Sequence, residues 1–212
     1  MSSATRATNT MIAGPAGPLQ VRIDEPADGG EPQHVAVVCH PHPLFGGTMT
    51  NKVAHMLART CSELGLPAVR FNFRGVDRSV GTHDDGRGEV DDVLAIVDWA
   101  EHRWPGADIW LAGFSFGAAM ALRASLRHPV ARLITVAPAL RWLEGIGPEV
   151  PSCPWLIVQG DQDELVDAQA VTAWAKSLVR APQLEILPGA EHFFHGRLND
   201  LRDIVKTWAV EA

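Results

Sequence analysis

The sequence lacks the cysteine pattern of a cross-linked or zinc-held domain. Only Cys39, Cys61 and Cys153 occur, an odd number with no C-x-x-C pair, so neither a disulfide framework nor a zinc ribbon fits. A reducing, cytoplasmic setting is expected. Excess positive charge is also missing: 18 Lys and Arg stand against 25 Asp and Glu, a formal net charge of −7. Nucleic acid and anionic membranes are therefore unfavourable partners. The longest apolar runs are about half a dozen residues, against the roughly 20 a membrane helix needs. The first residues are rich in Ser, Thr, Gly and Pro, where an export signal would carry a basic and then an apolar stretch. No repeat is visible, and no linker divides the chain after its first score of residues.

What is present is 212 residues, 46% apolar and 20% charged, the balance of one ordinary globular domain. Folding at this length buries about 70% of the extended surface, enough for a core without disulfides or metal. We expect residues 1–10 as a flexible segment and 11–212 as a single domain. Apolar runs suited to buried strands lie at 35–39, 68–73, 108–112, 133–137, 155–159 and 184–187. Helical spacing links Met49, Val53, Met56, Leu57, Cys61 and Leu64, then Val90, Val93, Leu94, Val97 and Trp104. A third helix is read over the Ala-rich 115–127, a fourth around Val171 to Val179 and a fifth from Leu198 to Trp208. A weak edge hairpin is read over 11–23. Alternating strands and helices predict an α/β fold, a mostly parallel sheet with helices on both faces. Ligands of such sheets bind beyond the C-terminal strand ends.

After the run at 108–112 comes Gly113-Phe114-Ser115-Phe116-Gly117, a G-x-S-x-G pattern between a predicted strand and a predicted helix. Chance gives such a pattern ~0.06 times in a chain of this composition. A nucleophile on so tight a turn leaves no room for Cβ atoms two residues to either side, and glycine removes them. Ser115 is thus the candidate nucleophile, and the N–H of Phe116, at a helix N-terminus, a candidate oxyanion donor.

A serine hydroxyl needs a base, and on such sheets the acid and then the histidine follow the serine in the chain. The run at 155–159 leads into Gly160-Asp161-Gln162-Asp163-Glu164, so either Asp163 or Asp161 could orient an imidazole. His192, beyond the run at 184–187, is the first histidine after those acids and the candidate base, with His195 in reserve. The second oxyanion donor should come from His40-Pro41-His42-Pro43-Leu44-Phe45-Gly46-Gly47. The prolines have no N–H, which leaves His42, Leu44 or Phe45, and we assign Leu44. His40 and His42 are spaced as a metal pair could be, but no Cys or carboxylate cluster accompanies them. No metal and no cofactor is expected.

With these motifs the chain resembles the α/β-hydrolase superfamily, and within it the small, lidless bacterial serine hydrolases close to dienelactone hydrolases. The resemblance spans about residues 11–208. It rests on His-Pro-His-Pro-Leu-Phe-Gly-Gly (40–47), Phe-Asn-Phe-Arg-Gly (71–75), Gly-Phe-Ser-Phe-Gly (113–117), Gly-Asp-Gln-Asp (160–163) and Glu-His-Phe-Phe-His (191–195). It implies Ser115 as nucleophile, Asp163 as the acid, His192 as base, and Phe116 with Leu44 as oxyanion donors. Dienelactone hydrolases themselves carry cysteine at the elbow, which points away from dienelactone cleavage here. Asp77 stands where the family carries glycine. For Arg74 a structural ion pair is favoured over substrate contact.

The expected function is hydrolysis of a small-molecule, short-chain carboxylic ester through an acyl-enzyme. Acyl transfer or peptide cleavage by the same residues, and a non-catalytic binding protein on this fold, are the alternatives. No G-x-G-x-x-G opens the first helix, against a dinucleotide-binding sheet. Between the runs carrying nucleophile helix and acid, residues 138–154 number 17 and are broken by glycine and proline. Two cap helices of about 11 residues cannot fit there, so an open cleft is expected.

Overall fold

The computed structural model describes residues 6–26, 30–146 and 150–211. Its strands are β1 (Arg6–Ile12), β2 (Leu19–Glu25), β3 (His34–Cys39), β4 (Ala68–Phe71), β5 (Asp108–Phe114), β6 (Arg132–Val136), β7 (Trp155–Gly160) and β8 (Gln183–Leu187). Its helices are α1 (Lys52–Glu63), α2 (Arg87–Arg103), α3 (Phe116–Ser125), α4 (Ala168–Ser177) and α5 (Leu198–Glu211). The strands form one sheet in the order β1-β2-β4-β3-β5-β6-β7-β8. The β1–β2 and β2–β4 pairs are antiparallel and every other pair is parallel.

Period-2 alternation sends the strand side chains to two cores. Val35, Val37, Leu111 and Ile157 join α2, α3 and Val171 of α4 on one face. Ala36, Val38, Trp110, Phe114 and Val158 meet Val53 and Leu57 of α1 and Leu201, Val205 and Trp208 of α5 on the other. In α3, Ala118, Ala119, Ala121 and Ala124 are all fully buried, so small side chains bring this helix close to the sheet. The chain leaves β3 toward β4 on one side and returns to β5 on the other, so order reverses between β3 and β5. That switch opens a crevice between the loops that follow them.

Several expectations are corrected in detail. Of the segment read as flexible, 1–5 lies outside the described residues, while Arg6 to Thr10 belong to β1, paired from Arg6 opposite Glu25. Their exposed, polar side chains carry no apolar alternation, so backbone pairing alone defines that strand. β4 ends at Phe71 rather than Phe73, because the Phe73 N–H donates to His40 Nε2 (3.0 Å). α1 starts after Met49: Asn51 caps it by accepting from Val53 and Ala54, and the Met49 N–H goes to Asn72 Oδ1. Asp77 has φ 50°, the left-handed conformation that glycine takes freely and Asp tolerates better than most residues. Within 138–154 the described residues hold only a 3-10 turn, Leu140–Trp142, so no cap domain covers the strand ends.

Candidate active site

The β5–α3 turn is held by close approaches that only glycine permits. A Cβ on Gly113 would lie 2.3 Å from the Gly117 carbonyl oxygen, and one on Gly117 would lie 2.4 Å from the carbonyl oxygens of both Cys39 and His40. Gly117 therefore lets the first turn of α3 press against the end of β3. Between the two glycines Ser115 adopts φ 56° and ψ −115°, a conformation that costs on the order of 1–3 kcal/mol and clusters at functional sites. The Phe116 N–H, at the start of α3, has no hydrogen-bond partner among the described residues.

His192 Nε2 lies 3.2 Å from Ser115 Oγ, and its Nδ1 lies 2.8 Å from Asp163 Oδ2. His192 is 2% exposed, and its ring rests against Phe114 and Phe193. Asp163 also accepts from Leu165 N–H (2.9 Å), Val166 N–H (2.7 Å) and the Gln159 amide (3.0 Å). Burial alone would raise its pKa, but the hydrogen bonds from His192, Val166 and Leu165, with the histidine's charge, outweigh burial and hold it low. Asp163 thus favours the ionised form, and the hydroxyl–imidazole–carboxylate chain can move the Ser115 proton onto the ring.

The alternatives separate by geometry. Asp161 accepts the Gly189 N–H (2.6 Å) and braces the histidine loop instead of the ring. His195 is exposed and faces Glu191 (3.4 Å). Glu164, which sequence reasoning passed over, accepts the His192 backbone N–H (3.2 Å). Arg74 forms a buried, bidentate pair with Asp92, Nη2 to Oδ1 2.7 Å, and its backbone N–H meets the same carboxylate, so it is structural.

The assignment of Leu44 is corrected. Its N–H donates to His42 Nδ1 (3.2 Å), and the residue is 69% exposed. The Phe45 N–H is likewise spent, on the His42 carbonyl (3.1 Å). Of the three candidates only the His42 N–H has no partner among the described residues. Neighbouring His40 donates from Nδ1 to the Pro41 carbonyl (2.6 Å), and Pro41 shares its trans peptide with His42. Carbonyl and N–H point opposite ways across such a peptide, so His40 turns the His42 N–H away from itself. Burial pushes the His40 pKa down to about 4. Burial, then the charges of His83 and Arg141, do the same for His42, also to about 4.

Ser115, Phe116, His42 and His192 share a cleft of about 690 Å³. Phe45, Leu140, Trp142, Leu165 and Phe193 wall it, with Asn51, Arg141 and Asp167 among its polar groups. Among the described residues no three His, Cys, Asp or Glu side chains are grouped to hold a metal ion, and no helix is long and apolar enough to cross a membrane.

Residues 30–152 match the family described as serine aminopeptidase, S33. A protein of Rickettsia prowazekii, described only as uncharacterised, is 31% identical over 207 residues, 93% of this chain and 86% of the relative. A solved α/β serine hydrolase homologue from Coxiella burnetii is 47% identical, with TM-score 0.88 over 93% of this chain and 94% of that one. A solved α/β serine hydrolase without a lid, from Xanthomonas campestris, is 42% identical, with TM-score 0.91 over 98% and 95% of the two chains.

Proposed function

The chain belongs to the lidless α/β serine hydrolases, in the family described as serine aminopeptidase, S33, and from that premise we propose that it hydrolyses short-chain carboxylic esters. The observation that carries the proposal is the unbroken chain of contacts from Asp163 through His192 to Ser115. Ser115 Oγ attacks the ester carbonyl carbon while His192 Nε2 takes its proton, and the carbonyl electron pair moves onto oxygen. The N–H groups of Phe116 and His42 receive that oxyanion. Collapse expels the alcohol, which takes the proton from His192. Water, giving its proton to the same nitrogen, then releases the acid and restores Ser115. Asp163 stays ionised, keeps the Nδ1–H tautomer and stabilises the imidazolium.

The short acyl chain follows from the missing cap. A long chain would run past the cleft walls into water, and each unburied CH₂ forgoes about 0.8 kcal/mol. The test is a series of p-nitrophenyl esters, with and without micelles, on wild type and Ser115→Ala. Acyl chains of roughly C2 to C6 are expected to give the highest kcat/KM, without activation by micelles, and Ser115→Ala to be inactive. A preference for C12 or longer contradicts the short-chain reading, and an active Ser115→Ala contradicts the nucleophile. Acyl transfer and peptide cleavage share the acyl-enzyme. Product analysis with alcohol or amine acceptors, and with peptides, separates them from hydrolysis of esters.

A further inference from the structure

Gln159, the penultimate residue of β7 before the acid loop, is fully buried. Its amide nitrogen lies 3.0 Å from Asp163 Oδ2 and 3.1 Å from the carbonyl oxygens of Val166 and Gly160. All three partners are acceptors, which fixes the end of the amide that bears the hydrogens. The amide oxygen is buried and has no partner among the described residues. An orphaned buried acceptor costs stability, and an apolar side chain of the same length would avoid that cost. The position therefore keeps an amide of which only the donor is used. One of its targets is the oxygen that also receives the His192 Nδ1–H at 2.8 Å.

We propose that Gln159 is a positioning residue for Asp163: it holds Oδ2 in line with His192 and tempers the pull of that oxygen on the imidazole proton. This rests on the reading of Asp163, His192 and Ser115 as the reacting chain. The carboxylate has about four lone-pair sites, and four donors fill them: Leu165 and Val166 N–H on Oδ1, Gln159 and His192 on Oδ2. A donor that shares Oδ2 draws off part of its negative charge. Without it, more of that charge acts on the imidazolium, and the ring holds its proton to higher pH. The other titratable groups nearby are already committed. Glu164 accepts the His192 backbone N–H, Asp161 accepts the Gly189 N–H and Glu191 faces His195.

The test is Gln159→Met, which keeps the length and removes the donor, read by the pH dependence of kcat/KM and by NMR titration of the His192 ring. The acid limb of the profile is expected to move up by about half to one pH unit, so that rates on it fall about three- to tenfold while the alkaline plateau changes less than about twofold. The ring's titration midpoint is expected to move with it. A uniform loss at every pH with the midpoint in place is the signature of packing alone, and it overturns the proposal. In the wild-type protein, where folding of a variant is not at issue, the Gln159 side-chain amide resonance should shift as His192 titrates. An amide resonance that stays constant through that titration also overturns it. Both NMR measurements need no substrate, so a moved midpoint in a protein that cleaves no ester supports Gln159 and counts against the ester reading alone.

Discussion

His40 and His192 are both buried beyond the C-terminal ends of strands, and both ring nitrogens of each lie within hydrogen-bond reach of a partner. At His40 the partners are backbone groups of fixed character: Nδ1–H donates to the Pro41 carbonyl and Nε2 accepts from the Phe73 N–H. A second proton would set one N–H against another, and burial already holds the ring neutral with its pKa down to about 4. At His192 the partners are a carboxylate and a hydroxyl. A second proton there meets a negative charge on one side and comes from the hydroxyl on the other. The same side chain is a rigid strut in one place and, in the proposed mechanism, a proton carrier in the other, and the difference lies in what its two nitrogens touch.

Substitution separates the two roles most sharply. His192→Ala is expected to lower kcat on the order of 10⁵- to 10⁶-fold, as removal of the base does in serine hydrolases of known mechanism, with its circular dichroism and melting temperature near wild type. Retention of more than a hundredth of the activity would leave His192 no closer to the chemistry than His40. Asp163→Asn is expected to cost on the order of 10⁴ in kcat, because it offers the ring the wrong tautomer partner. Asp161→Asn, which disturbs only the brace to Gly189, should cost less than about tenfold. Kinetics on the two single variants decide between the acids.

Acidification should divide the histidines by readout. The rate is expected to fall on acidification as His192, the proposed base, gains a proton and can no longer take one from Ser115. The folded-state pKa of His40 is depressed to about 4, so the unfolded chain binds that proton first. Its contribution to stability is complete above the unfolded value of about 6.5 and is lost as pH falls through the interval down to about 4, on the order of 3 kcal/mol in all. Asp163, also held low, adds to the loss only below about pH 4. Urea unfolding at several pH values should show this slope in wild type and a flatter one in His40→Asn. An equal slope in both removes the strut from the account. The smallest effect is expected from Leu44→Pro, which deletes the N–H that His42 Nδ1 accepts. Activity should stay within about tenfold of wild type, whereas loss of an oxyanion donor costs about 10²- to 10³-fold. A loss of that size would return the second donor to Leu44.

How far the sequence can be read depends on whether the signal is local. Gly113 and Gly117 flank Ser115 because three chain segments meet there, and the pattern alone indicated the turn, its strand and its helix. The order of serine, acid and histidine located Asp163 and His192 because strand ends on this sheet all point to one crevice. Leu44 was misread because the direction of its N–H depends on the His42 ring two residues away, which no spacing rule encodes. Of β1 only the end, from Met11, was legible as part of an edge hairpin, because the residues before it are exposed and carry no apolar alternation. Gln159 and Glu164 act only through contacts with other loops. A glutamine closing an apolar run was the one visible hint of the first, and a third acid beside Asp163 the hint of the second.

The claim that Ser115 is an activated nucleophile is tested most directly by mass spectrometry of the protein after reaction with a fluorophosphonate. A single covalent adduct is expected, mapped to Ser115, formed quickly in wild type, slowed on the order of 10⁴-fold or more in His192→Ala and absent in Ser115→Ala. An adduct on another residue, or labelling of wild type no faster than of His192→Ala, would contradict it.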